Sequence, residues 1–139
     1  MNLSDIAIML KLPNKQTLYP RQTVGVQPVF DRYGELWKSR RDSEILFLGD
    51  SFSNIYSSGG YWGESAGLVE QLSFHLQRPI ARIAVNGGGA SETRIQLMSS
   101  LRAARRQKER GPLDGKKLVI YQFAARTLLD NDWRLVDLS

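Results

Sequence analysis

The chain has 139 residues, a formal net charge of +5, 42% hydrophobic and 24% charged residues, and no cysteine. That length gives one domain with a core that needs no staple, and the missing cysteine excludes disulfides and thiolate metal sites. No apolar run reaches the length of a membrane span, and Met1-Asn2-Leu3-Ser4 lacks the basic and apolar pattern of a secretory signal.

In chain order, Ser4 to Leu10 offers a capping residue followed by an apolar face, which predicts a short helix ended by Leu12-Pro13-Asn14. From Thr17 to Phe30, Pro20, Gly25 and Pro28 punctuate Tyr, Val and Phe, the pattern of extended edge structure. Asp31-Arg32-Tyr33-Gly34 reads as a turn. Residues 1–42 are therefore expected to pack as an appendage on a core spanning 43–139, within a single domain.

The core pattern is regular. Ile45–Leu48 is a buried strand, and Ser57-Ser58-Gly59-Gly60 is a loop. A helix is expected from Gly63 to His75, with Leu68, Leu72, Phe74 and Leu76 as its apolar positions. Pro79 breaks it before a second strand at Ile80–Val85. Asn86-Gly87-Gly88-Gly89 opens a second helix with Ile95, Leu97, Met98 and Leu101 inward, ended by Gly111-Pro112. Lys117–Tyr121 is the third strand. Alternating strands and helices of this kind make right-handed parallel units. The expected fold class is α/β, a three-layer sandwich around a parallel, flavodoxin-like sheet.

Two basic clusters, Lys38/Arg40/Arg41 and Arg102/Arg105/Arg106/Lys108/Arg110, could attract a polyanion such as nucleic acid, anionic polysaccharide or a membrane surface. The plainer reading is a solvated helix face. No aromatic residue interleaves the second cluster to stack bases, so nucleic acid is set aside as a partner.

The chemistry concentrates in two loops expected at the carboxyl ends of parallel strands, where such sheets bind ligands. Gly49-Asp50-Ser51 presents a serine that can act as a nucleophile when a base removes its proton. Asn86, Gly88 and Gly89 can supply an amide and free N–H groups to an oxyanion, or simply make a turn. Gly87-Gly88-Gly89 has neither the spacing of a dinucleotide fingerprint nor the Gly-Lys-Ser/Thr of a phosphate-binding loop. Asp50 can shape the turn through backbone N–H groups or face substrate. Tyr61 and Trp62 can stack on sugar rings or cap the core. No metal site and no cofactor are expected.

The motif Gly49-Asp50-Ser51-Phe52-Ser53 resembles the first signature block of SGNH (GDSL-type) esterases and acyltransferases. The resemblance is closest to the SGNH-like domain of alginate O-acetyltransferases, and extends from about Ser4 to Leu129. It includes the Leu12-Pro13 helix end, the Asn86-to-Gly89 turn and Phe123-Ala124-Ala125-Arg126. It implies transfer of acetyl to or from a carbohydrate hydroxyl through Ser51. It further implies a substrate contact at Arg126, whose plainer alternative is a salt bridge to Asp130. A periplasmic or envelope location and polysaccharide-modification partners are likewise implied by the resemblance alone.

Three departures accompany the match. The family's Asp-x-His pair is missing, both upstream of the serine and near the C-terminus, and Tyr121-Gln122-Phe123 replaces the Gly-x-Asn-Asp block. The only histidine, His75, is expected at a helix end on the edge of the sheet opposite Ser51, where it favours the helix dipole. The sequence is thus read as a fragment or degenerate copy with little activity alone. The alternative is a non-catalytic module that binds a glycan or an anion.

Overall fold

Four apolar residues and a glycine build the central strand, β1 (Ile45–Gly49), and every one of them is buried. The computed structural model describes residues 10–13, 15–20, 23–58, 62–129, 133 and 135–137. After β1 come α1 (Leu68–Leu76), β2 (Ile80–Ala84), α2 (Gly89–Gln107) and β3 (Leu118–Tyr121). The strands form a three-stranded parallel sheet in the order β2-β1-β3. Ile45 lies level with Ile80 and Leu118, so all three strands start at one edge and finish at the other.

Because side chains alternate along a strand, β1 feeds two cores. Leu46 and Leu48 pack with Ala81 and with Leu97 and Leu101 of α2. Ile45 and Phe47 pack with Ile80 and with Val69 of α1, joined by Trp37, Leu72 and Ile120. One helix covers each face. The α/β class and the parallel sheet expected from the sequence are therefore present.

The helix before β2 differs from its expected form. It begins at Leu68 rather than Gly63, and Leu68, Phe74 and Leu76 are about half exposed while Val69, Glu70 and Ser73 are buried. A buried ion pair explains the rotation. Glu70 Oε1 accepts from Arg82 Nη1 of β2 at 2.8 Å, and its carboxylate side chain is only 2% exposed. Ser57 Oγ lies 2.8 Å from Glu70 Oε2 and 3.0 Å from the Ser53 carbonyl, sharing one proton between two acceptors. Gly67 makes room, since a Cβ there would fall 2.0 Å from Ser57 Oγ.

Both helices stop on left-handed residues. Gln77 closes α1 with N–H bonds to the carbonyls of Ser73 and Phe74, and Lys108 closes α2 in the same way onto Ala104 and Arg105. The second helix thus ends at Gln107, ahead of the expected Gly111-Pro112 stop. The predicted N-terminal helix lies almost wholly outside the described residues.

The described residues from Thr17 to Phe30 form no helix and no named strand. Among them, only Phe30 forms a bridge, to Leu36. Val29 is buried and bonds Ser65 and Trp37 through its backbone, which ties this segment to the core loops instead. The turn at Asp31–Gly34 is present, closed by Gly34 N–H to Asp31 O at 3.1 Å. No helix among the described residues is long and apolar enough to cross a membrane.

Breaking a buried pair by removing one partner typically costs about 3–5 kcal/mol. The Arg82 side chain is 24% exposed, so Glu70→Ala should fall at the low end, near 3 kcal/mol. Urea unfolding followed by tryptophan fluorescence measures it, and a loss under about 1 kcal/mol would remove Glu70 as the anchor of α1.

Candidate functional site

β1 must leave the sheet sharply, and Gly49 makes that exit possible. A Cβ on Gly49 would fall 2.4 Å from Ser53 Oγ and 2.7 Å from a Phe47 ring carbon, so no side chain fits there. The chain then enters a 3₁₀ turn, Ser51–Asn54, capped by Asp50. Ser53 Oγ donates to the Asp50 carbonyl at 2.7 Å and Thr93 Oγ1 of α2 donates to the Gly49 carbonyl at 2.7 Å. These bonds fix the backbone on both sides of Ser51.

Asp50 is 3% exposed and works as an acceptor for the fold. Its Oδ1 takes the Phe52 N–H at 2.9 Å and the Gln122 Nε2–H at 3.0 Å, and its Oδ2 takes the Ala124 N–H at 2.9 Å. Gln122 Oε1 in turn accepts from the Asp50 N–H at 3.3 Å. Asp50 therefore staples the exit of β1 to the exit of β3. It contributes to the cleft wall, but its carboxylate already holds three donors.

Ser51 is exposed, and its hydroxyl has no hydrogen-bond partner among the described residues. It opens onto a cleft of about 280 Å³ shared with Asp50, Gly87, Gly88, Gly89, Ser91 and Arg126. Gly88 is the N-cap of α2, and Gly87 and Gly89 have φ of +88° and +60°, a conformation that favours glycine. The first N–H groups of α2 lack intrahelical acceptors, and the helix dipole places partial positive charge there. This end of the cleft is suited to an oxyanion or an anionic group.

Arg126 borders the cleft from a second 3₁₀ turn, Ala125–Leu128, with its guanidinium 5.6 Å from the centre of the exposed Phe52 ring. Its alternative partner, Asp130, lies outside the described residues, as does Tyr61. Trp62 meets Tyr56 edge-on at 6.4 Å and is half-buried.

Asn86 stands apart from the other site residues. Its Oδ1 accepts from Asn54 Nδ2 at 2.8 Å, which ties the loop after β2 to the serine turn, and it does not border the cleft. His75 is exposed in the last turn of α1, against Phe74, five residues before the first residue of β2. That is the opposite edge of the sheet from Ser51.

The residues that sequence reasoning missed are mostly polar groups just past an apolar run. Gln122 follows β3 directly, and a polar residue at a carboxyl strand end is the signal that would have found it. Arg94, one turn inside α2, donates to Ser91 Oγ at 3.3 Å and lies 5.1 Å from the Trp133 ring centre. Its Nε is buried without a partner among the described residues. A larger groove of about 880 Å³ runs between β2 and α2, but it contains none of the serine-turn residues.

Among the described residues, no group of three His, Asp or Glu side chains could hold a metal ion. No protein-family model, curated protein or solved structure matches the chain.

Because overpacking typically costs about 1–3 kcal/mol, Gly49→Ala should destabilise the protein by that amount and loosen the serine turn. Thermal melting measures the first effect and amide exchange at Phe52 and Ser53 the second. An unchanged melting temperature would show that the close approach at Gly49 is not a constraint.

Proposed function

We propose that this chain carries an SGNH-like acyl-transfer site in which Ser51 accepts an acetyl group from, or for, a carbohydrate hydroxyl. The observation that carries this reading is an exposed serine sharing a small cleft with Gly88 and Gly89 at the start of a helix. The strand order β2-β1-β3 is compatible with the flavodoxin-like layout of that superfamily.

In the proposed reaction, Ser51 Oγ attacks the acyl carbon and its proton passes to a base. The carbonyl oxygen gains charge facing the Gly88–Gly89 end of α2, and the C–O bond to the leaving alcohol then breaks. A second alcohol, or water, takes the acyl group from the serine by the same steps in reverse. Arg126 and the Phe52 ring flank the cleft, where a guanidinium and an aromatic face suit a sugar ring. One oxyanion donor of this kind is worth about 10²–10³ in rate.

The base is the missing part. Asp50 already holds three donors, His75 is at the far edge, and no described side chain bonds Ser51. Turnover by this chain is therefore expected to be slow. The same observation favours a second reading, a non-catalytic module that holds a glycan or anion in the cleft.

Hydrolysis of p-nitrophenyl acetate by the wild type and Ser51→Ala separates the two. The acyl-transfer reading expects slow release that depends on Ser51, together with an acetylated Ser51 peptide on mass spectrometry. Equal rates and no adduct would sink it and leave the binding module.

A further inference from the structure

Asn86-Gly87 is the one place in the sequence where glycine follows asparagine. Asn2, Asn14, Asn54 and Asn131 precede Leu, Lys, Ile and Asp. The difference matters because the backbone nitrogen of the next residue can attack an asparagine side-chain amide. A Cβ on that residue crowds the attack, and glycine has none. Folds ordinarily suppress the reaction by holding that nitrogen in a helix or strand hydrogen bond.

Here the fold leaves the pair unprotected. β2 ends at Ala84 and α2 begins at Gly89, so both residues stand outside regular structure, and both are exposed. No described residue accepts the Gly87 N–H, and a Cβ placed on Gly87 would meet nothing within 4 Å, so there is open space for a ring to close. Asn86 Oδ1 accepts from Asn54 Nδ2 at 2.8 Å, which draws electron density from Cγ, the atom to be attacked. Asn54 itself is buried in the serine turn and precedes the β-branched Ile55.

We propose that Asn86 is a site of spontaneous deamidation, converting through a cyclic imide with Gly87 to aspartate and isoaspartate. The Gly87 nitrogen gives its proton to solvent base and bonds to Asn86 Cγ, closing a five-membered ring. The Cγ–Nδ2 bond then breaks, and ammonia leaves with a proton from solvent. Water adds to either ring carbonyl and opens the imide. In sum, asparagine and water give aspartate or isoaspartate and ammonia. Asn86 stands two residues before Gly88, the N-cap of α2, and directly before the glycines that line the serine cleft. A carboxylate there is favoured by the positive end of α2 and competes with any anion drawn to it. Isoaspartate also runs the chain through Cβ, which adds one backbone atom to the loop and shortens the group that reaches Asn54. The modification is independent of the chemistry at Ser51.

Peptide mapping by mass spectrometry tests the proposal on the full chain, incubated in mildly alkaline buffer made with heavy-oxygen water. The expected result is that Asn86 converts first among the five asparagines, takes up heavy oxygen, and yields both aspartyl and isoaspartyl peptides. Exposed loops open at almost no free-energy cost, so the fold should slow Asn86 by about tenfold or less relative to the chain in guanidinium chloride. Asn86→Gln should abolish the acidic form that isoelectric focusing resolves in the aged wild type. Stronger protection by the fold, another asparagine converting ahead of Asn86, or an aspartyl product without isoaspartate overturns the proposal. An acidic form that persists in Asn86→Gln also overturns it.

Discussion

The Asp50 carboxylate is the interaction on which the site depends. It is buried, and its two oxygens collect donors from its own turn, from Gln122 and from Ala124. A hydrogen bond to a charged group is worth roughly 1.5–3 kcal/mol, and leaving such a group unpaired costs more. The three bonds therefore hold the exits of β1 and β3 in one geometry. Asn54 to Asn86 adds the exit of β2, and Thr93 adds the start of α2. The cleft exists because these loops cannot drift apart. The same bonding commits this carboxylate to the loops, and among the described residues no hydrogen bond joins it to the Ser51 hydroxyl.

A second organising feature is the division of charge between the two edges of the sheet. The carboxyl edge holds the serine cleft and the positive end of α2. The amino edge collects the negative ends of both helices, and the basic residues gather there. Arg105 and Arg106 occupy the last turn of α2, where cations oppose the helix dipole. Lys116 reaches under β1 to the carbonyls of Arg41 and Ser43, and burial, followed by the nearby Arg110, pushes its pKa down. Helix-end electrostatics thus accounts for Arg105 and Arg106 of the second basic cluster without any polyanion.

What the sequence discloses follows from how strongly each signal is local. The run Ile45–Leu48 and the glycines of the second loop are local facts, and the strand, the turn and their common edge follow from them. The inward face of α1 is not local. Counting apolar residues puts Leu68, Phe74 and Leu76 inside, whereas the structure buries Glu70. Its partners, Arg82 twelve residues later and Ser57 thirteen residues earlier, make that carboxylate tolerable in the interior. Gln122 is hidden for the same reason, because its meaning depends on a residue 72 positions earlier. Asn86 was legible as a polar loop residue, but its orientation toward Asn54 was not.

The cleft offers groups that could position a reactant, but no described side chain bonds Ser51 to take its proton. Positioned donors stabilise an oxyanion only after the serine oxygen has attacked, and an unassisted hydroxyl attacks slowly at neutral pH. Systems that lose their base but keep the oxyanion donors retain roughly 10³–10⁴-fold catalysis over water. In the alternative reading, the helix start, the flanking guanidinium and the serine hold an anion or a sugar without reacting. The difference between the two outcomes is a single proton acceptor within about 3 Å of Ser51 Oγ. In the proposed acyl-transfer reading Ser51 and the start of α2 fill the other two roles, so the placement of one base separates that reading from the binding one.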